Sequence, residues 1–403
     1  MQSPRYALVF QHAEALRHQL VETRRNLYMH PELSGEEKRT ARVVATRLRK
    51  LGLAVQTSVG GYGVVGVLQG ARPGPTIAYR ADMDAMPVQD TLETPYRSLV
   101  LGVKHACGHD VHMAVALGVA EVLAALRDDI AGAVKFIFQP AEESLDGARA
   151  MLAANVLEAP KPDAIFALHT FPIPVWTIGL ASGLCLAGME EFRVRFYSPA
   201  GNLDVLTARV ASALRALSGG VAPTGMATFN TLIRAMRAGA VSERDVLVSC
   251  WPLTDSPASN DHLLGLVSLP QMTLRDAVRA NIRQVLDTVT AEAGAAYNLS
   301  FTFSNPAVVN DAAVVREMLP ILQTAVGSDN VWVFRSPDPF AHEDFALYLE
   351  HVPGALLWLG IANPEKGIAS LLHAPDFDVD ETALVIGTRV MVTLLLHFLE
   401  ICV

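Results

Sequence analysis

The stretch His105-Ala-Cys107-Gly-His109-Asp110-Val-His112 holds one thiol, three imidazoles and a carboxylate within eight residues. No fold needs that much ligating chemistry in one place for stability alone. Thiolate and imidazole together suit borderline ions such as Zn²⁺, and nearby carboxylates widen the choice to Mn²⁺, Co²⁺ or Ni²⁺. A divalent-metal enzyme is the first expectation, and the rest of the chain must supply the remaining ligands.

Four further segments carry suitable groups. Asp82 and Asp84, in Arg80-Ala-Asp-Met-Asp-Ala-Met-Pro87, are separated by one residue, so both face the same side of an extended segment, where one can orient a ligating histidine. Gln139-Pro-Ala-Glu142-Glu143 follows an apolar run, and neighbouring side chains diverge enough for one glutamate to bind metal while the other moves protons. Ala167-Leu-His169 closes another apolar run, and Leu372-His373-Ala-Pro-Asp376 brings a histidine from far along the chain. Cys, three His and Glu are thus candidate ligands.

These groups need elements to hold them. Apolar runs at 63–68, 76–80, 134–138 and 164–168 predict strands, the later ones buried on both faces. An Ala/Leu/Val-rich helix is expected over 113–126, which puts the cluster on a strand-to-helix loop. An amphipathic helix is expected over 7–28, and Ser34-Gly-Glu-Glu37 reads as a capping box before a second helix through 51. Alternating strands and helices indicate an α/β domain with its ligands at strand ends.

A second unit begins near residue 188, with a strand at 191–197, helices at 203–217, 228–238 and 274–294, and a strand at 297–303. A helix at 311–324 and a strand at 355–360 return to the first domain. The expected division is a catalytic domain of residues 1–187 and 306–403, and a smaller α+β lid of residues 188–305. The apolar stretch 383–403 carries Arg389, His397 and Glu400, so a docked helix is expected and not a membrane span.

Composition narrows the function classes. With 403 residues, 51% hydrophobic and 18% charged, the chain can bury large cores. A net charge of −9 without a Lys/Arg run argues against nucleic acid, leaving small molecules as the expected partners. The four cysteines, Cys107, Cys185, Cys250 and Cys402, lack the close spacing of a disulfide framework, and the first twenty residues lack a signal-peptide pattern. A reducing, cytoplasmic setting is expected.

Taken in order, His30-Pro-Glu-Leu33, Arg80 to Pro87, His105 to His112, Gln139 to Glu143, Glu343-Asp-Phe345 and Leu372 to Pro375 resemble the motifs of the M20 metallopeptidase family. The likeness is to its amidohydrolase branch of aminoacylases, hippurate hydrolases and auxin-conjugate hydrolases. The resemblance implies a metal-dependent exopeptidase-like catalytic domain with an inserted lid that often mediates a homodimer. It implies two divalent ions (Zn, Mn, Co or Ni) held at Cys107, His109, Glu143, His169 and His373. Glu142 falls at the general base, which takes a proton from the nucleophilic water and passes it to the leaving amine. Asp84 would support the metal site, and Asp82 stands where related branches carry a histidine ligand. The implied reaction is hydrolysis of an N-acyl amino acid or related amide.

The lid departs from the family pattern. Asn202 stands where a carbonyl-polarising histidine is usual, and Asn can donate a hydrogen bond but carries no proton. His262, in Ser256-Pro-Ala-Ser-Asn-Asp-His262, is a candidate substitute. Two alternatives to amide hydrolysis stay open at this point. One is a metal-retaining acyl-transfer, condensation or cyclisation enzyme; the other is a non-catalytic binding protein of the same fold.

Overall fold

Strands alternate with helices through most of the chain. From the first part come β1 (Ala54–Val59), β2 (Gly63–Gln69), β3 (Arg72–Asp82), β4 (Ala131–Gln139), β5 (Ala164–Pro174) and β6 (Ile178–Ala181). Then follow β7 (Gly183–Leu186), β8 (Gly188–Tyr197), β9 (Leu247–Pro252), β10 (Leu263–Leu269), β11 (Ala296–Asn305) and β12 (Val308–Asn310). The last are β13 (Val331–Phe334) and β14 (Gly354–Ala362). The computed structural model describes residues 4–198, 202–220, 222–242, 245–253 and 261–401. It forms two compact units, one of Met1–Gly183, Asn310–Val333 and Leu347–Val403, the other of Leu184–Val309 and Phe334–Ala346.

The first unit is built on an eight-stranded sheet in the order β1-β2-β4-β3-β5-β14-β6-β13. Its middle strands β4, β3, β5 and β14 run parallel. All nine residues of β14 are buried, as are the last eight of both β3 and β4, because helices cover both faces of a parallel sheet. The helix Thr382–Ile401 packs against the helices His109–Ala125 and Ala312–Val326. By length and composition its Thr382–Glu400 segment could cross a membrane, yet 83% of its apolar window is buried inside the protein. It is a core helix, as its charged residues suggested. Truncating a fully buried side chain there, such as Leu395, should cost about 2–5 kcal/mol.

Three local expectations are corrected. The first amphipathic stretch is two helices, Pro4–Ala15 and Arg17–Tyr28, divided at Leu16, whose amide is shared between the carbonyls of His12 and Ala13. No capping box forms before the helix Lys38–Lys50. Ser34 Oγ donates instead to Asp84 Oδ2 at 2.6 Å, and Glu37 accepts the amides of Gly35 and Ala141. The helix's first amides, those of Arg39 and Thr40, are satisfied by the Glu32 carboxylate. The helix after the cluster begins at His109, because Gly108 takes φ +84° and its carbonyl accepts the amides of Val111 and His112.

The second unit contains an antiparallel sheet, β11-β8-β10-β9. Strand β8 alternates buried and half-buried residues along most of its length, the pattern of a sheet covered on one face. The helices Leu203–Arg215 and Arg275–Glu292 supply Val210, Leu214, Ile282 and Leu286 to its core. Residues 334–346 also belong here: the amides of Arg335 and Ser336 bond the carbonyl of Met236, and Asp338 exchanges backbone bonds with Cys185 and Ala187.

Candidate active site

Strand register brings the ligand-bearing segments to one level of the first unit's sheet. Asp82, the last residue of β3, is paired with Gln139, the last of β4. On the other side Arg80 is paired with Ala167, which sets His169 level with Asp82. His169 does not close β5, which runs on to Pro174; it lies inside the strand beside Trp358 of β14. Beyond the ends of β3 and β4 the chain turns out with Asp84, Glu142 and Glu143. The His109–Ala125 helix presents His109 from its first residue.

Hydrogen bonds aim the donor atoms. His109 Nδ1 donates to the carbonyl of Asp84 at 2.9 Å and lies 3.3 Å from Asp84 Oδ1, which leaves Nε2 as the lone-pair nitrogen. That Nε2 is buried without a hydrogen-bond partner, 3.7 Å from Glu142 Oε2 and 3.6 Å from Glu143 Oε1. His169 Nδ1 donates to the carbonyl of Thr170 at 2.7 Å, turning Nε2 to within 3.5 Å of Cys107 Sγ. His373 Nε2 approaches the same sulfur at 3.4 Å and Glu143 Oε2 at 3.8 Å. Asp84 Oδ2 accepts the Glu143 amide at 2.9 Å as well as the Ser34 hydroxyl.

These separations fit a shared divalent ion. Zn–N and Zn–O bonds of about 2.0–2.2 Å and Zn–S bonds of about 2.3 Å place two tetrahedral ligands roughly 3.3–3.6 Å apart. The observed gaps lie at or slightly above that range. Glu143 turns one oxygen toward His109 and the other toward His373, and Cys107 Sγ lies between His169 and His373. Carboxylate and sulfur are therefore each placed to serve two neighbouring positions. The structure thus gathers Cys107, His109, Glu142, Glu143, His169 and His373, with Asp84 behind them.

The electrostatics also favour a cation. Burial works to lower the His109 pKa, but Asp82 and Asp84 outweigh it and carry the imidazole up to about 10. Burial opposes ionisation of Asp82, yet His109, His112 and Arg80 hold it well below the usual carboxylate range. Glu143 is pushed up by burial and by Asp84 and Asp82, against the pull of His109. His373, half of whose side chain is exposed, is lowered by the partial burial of its ring and by His109, which keeps its nitrogen available as a ligand.

The opening cluster divides by role. His112 lies close enough to Asp82, His109 and His169 to count as a ligand by distance, but both its nitrogens are committed. Its Nδ1 donates to Asp82 Oδ1 at 2.5 Å and its Nε2 accepts the Thr170 amide at 2.8 Å. Sequence spacing cannot distinguish such a supporting imidazole from a ligand. Thr170, which the sequence did not single out, ties the pieces together: its hydroxyl donates to the Cys107 carbonyl at 2.7 Å. Gly108 is required beside it, since a Cβ there would stand 2.5 Å from Thr170 Oγ1.

The family model described as Peptidase family M20/M25/M40 matches residues 78–397. The chain belongs to peptidase family M20. It is 32% identical to the N-acetylcysteine deacetylase of Bacillus subtilis, the match covering 96% of this chain and 98% of that protein. It is 31% identical to the IAA-amino acid hydrolase ILR1-like 6 of Arabidopsis thaliana, over 92% of this chain and 78% of that one. Among solved structures, the Bacillus subtilis YXEP protein, a dinuclear metal binding peptidase, superposes with a TM-score of 0.74 at 29% identity, covering 96% and 99% of the two chains. This M20 chain is accordingly an enzyme, a metal-dependent hydrolase of the amidohydrolase and peptidase type.

The remaining candidates lie in the second unit. Asn202 is exposed just before the helix Leu203–Arg215 and its side chain makes no capping bond. Its neighbours 199–201, and residues 254–260 before His262, lie outside the described residues. His262 accepts the Phe196 amide on Nδ1 at 3.0 Å, while its own amide bonds the Val194 carbonyl. A pair that the sequence gave no sign of is Ser268 and His342, whose Oγ and Nε2 are 2.8 Å apart.

Proposed function

We propose that this M20 hydrolase cleaves the amide bond of N-acyl amino acids, with Glu142 as general base and two divalent ions held by Cys107, His109, Glu143, His169 and His373. The observation that carries this reading is the chain of close approaches that links those donor atoms, with a 4% exposed Glu142 beside it, 3.7 Å from His109 Nε2. Ions bound there would supply Lewis acidity, polarising the acyl carbonyl and bringing the pKa of a water toward neutrality. Glu142 takes one proton as the water oxygen bonds the acyl carbon, then delivers it to the amine as the C–N bond breaks. Asp84, through its carbonyl and carboxylate, fixes the ring of His109 and the start of the Glu143 segment. Asn202 is assigned as a hydrogen-bond donor to the substrate carbonyl, with His262 as the alternative.

The named activity of the Bacillus subtilis deacetylase supports the substrate class. Free buried thiols at Cys107, Cys185 and Cys250 fit a reducing, cytoplasmic setting. The test is metal analysis of the purified chain together with hydrolysis of a panel of N-acyl amino acids. Glu142→Ala should keep its ions and lose about 10²- to 10⁴-fold in kcat. Wild-type turnover in that variant, or no divalent ion retained under any loading condition, would overturn the reading. Bound ions without hydrolysis of any panel member would move the assignment to acyl transfer.

A further inference from the structure

The loop that carries His373 turns Leu372 and Ala374 against the core but leaves the residues between and after them open to solvent. His373, Pro375 and Asp376 are exposed, and His373 sits at φ +65°, a left-handed conformation that a non-glycine residue rarely keeps without support. The support comes from polar contacts at one edge of the loop. The His373 amide bonds the Ala106 carbonyl at 2.8 Å, and the Pro375 carbonyl accepts both the Thr91 amide and Lys104 Nζ. Lys104 is fully buried and also pairs with Asp90 at 3.1 Å.

Beneath it lies a second buried cation. Arg24 Nε donates to Asp110 Oδ2 at 2.6 Å, its NH2 group to Asp378 Oδ1 at 3.1 Å, and its NH1 group to Glu381 at 3.4 Å. The guanidinium is 0% exposed and lies over the adjoining rings of Tyr28 and Tyr96, 4.6 and 4.9 Å from their centroids. Tyr96 in turn donates its hydroxyl to the other oxygen of Asp378. Asp110 directly follows His109, and Asp378 lies five residues after His373. One planar, permanently charged group therefore grips both ligand-bearing segments, and its fork fixes their spacing in a way that a lysine's single ammonium cannot.

We infer that Arg24, with Lys104 beside it, is a positioning residue that sets the His373 loop against His109 and so determines how tightly the ion on the His373 side is held. The inference rests on the ligand set proposed above. Both side chains are 0% exposed, so neither reaches substrate and their effect is transmitted through the ligands. Loss of such outer support typically lowers metal affinity about 10- to 100-fold.

The experiment compares wild type, Arg24→Lys and Asp378→Asn in Zn²⁺ titrations against a chromogenic chelator, with melting of the metal-free proteins and kcat at rising Zn²⁺ as further readouts. Both variants should bind the more weakly held ion about 10- to 100-fold less tightly and regain most of the wild-type kcat in excess Zn²⁺. Wild-type Zn²⁺ affinity in both variants would overturn the inference, as would an activity loss that excess Zn²⁺ does not repair. If wild type itself binds none of Zn²⁺, Mn²⁺, Co²⁺ or Ni²⁺, the ligand set fails, and not merely this refinement; if it takes one of the others, the same titrations are run with that ion. Should Arg24→Lys fail to fold, Asp378→Asn decides, because it removes only a 13% exposed carboxylate at the loop's end.

Discussion

Each unit buries an imidazole, and the two respond to burial in opposite ways. His342, in the second unit, is lowered to about 4 by burial, with only the Ser268 hydroxyl at its Nε2. His109, in the first, is fully buried where His342 is only partly so, yet Asp82 and Asp84 carry it up to about 10. Burial alone yields a neutral, structural histidine. Burial within a ring of carboxylates yields a pocket that demands positive charge, and it is this field, more than the number of histidines, that marks a cation site.

The contrast can be broken most directly at the ligands. Cys107→Ser should abolish tight binding at one ion position and cut hydrolysis by about 100-fold or more, while leaving the second unit's fold unchanged. Ion stoichiometry, turnover and limited proteolysis of the second unit would check this; full ion occupancy in the variant would show that the thiol is not a ligand. A smaller and more discriminating effect is expected from two glycines. Gly108→Ala places a methyl against Thr170 at φ +84°, so it should weaken ion binding as well as destabilise by about 1–3 kcal/mol. Gly265→Ala drives a methyl into the Phe192 ring, 2.0 Å away, and should cost a similar about 1–3 kcal/mol through overpacking, with ion affinity untouched. Urea midpoints and Zn²⁺ titrations on both variants would expose any mixing of the two effects.

The effect confined to acid is a pH dependence. His342 has a folded pKa of about 4 against an ordinary 6.5, so between these values the unfolded chain binds more protons. Its contribution is intact above pH 6.5 and fades as pH falls toward 4, by about 2 kcal/mol at pH 5. Urea unfolding of the second unit, followed at pH 7 and pH 5, should show this loss in the wild type and less of it in His342→Gln. Equal losses in both would assign the acid sensitivity to other groups.

Much of the candidate site was legible because it follows from short-range chemistry: Glu142 and Glu143 come just after an apolar strand, and Cys107 and His109 stand at the start of an apolar helix. Strands β3, β4, β5 and β14 were legible for the same reason, as continuous apolar runs. What could not be read is what distance in sequence conceals. Nothing in the spacing of His109 and His112 tells which ring faces the ion; the Thr170 amide, 58 residues from His112, decides it. Ser34 and Glu37 have the letters of a capping box, but Asp84 and Ala141 compete for their side chains and win. Arg24 was not singled out at all, since its partners at 378 and 381 are over 350 residues away. In the second unit β9, half-exposed and of mixed composition, gave no run long enough to stand out, and β10, apolar and mostly buried, follows a polar stretch and was not anticipated.

The place of β14 in the sheet has a consequence for how the protein is made. This late strand, Gly354–Ala362, lies between β5 and β6, which end at Pro174 and Ala181. At synthesis rates of about 5–20 residues per second, on the order of ten to forty seconds separate the emergence of β5 from that of the strand that closes its edge. Throughout that interval a nascent chain offers an unpaired strand edge, and it carries the Cys107 thiol without His373. The ion pocket is completed only when His373 emerges, 266 residues after Cys107, so a chain stopped short of β14 bears an unpartnered sulfur and an open edge, features by which quality control can tell it from a folded one.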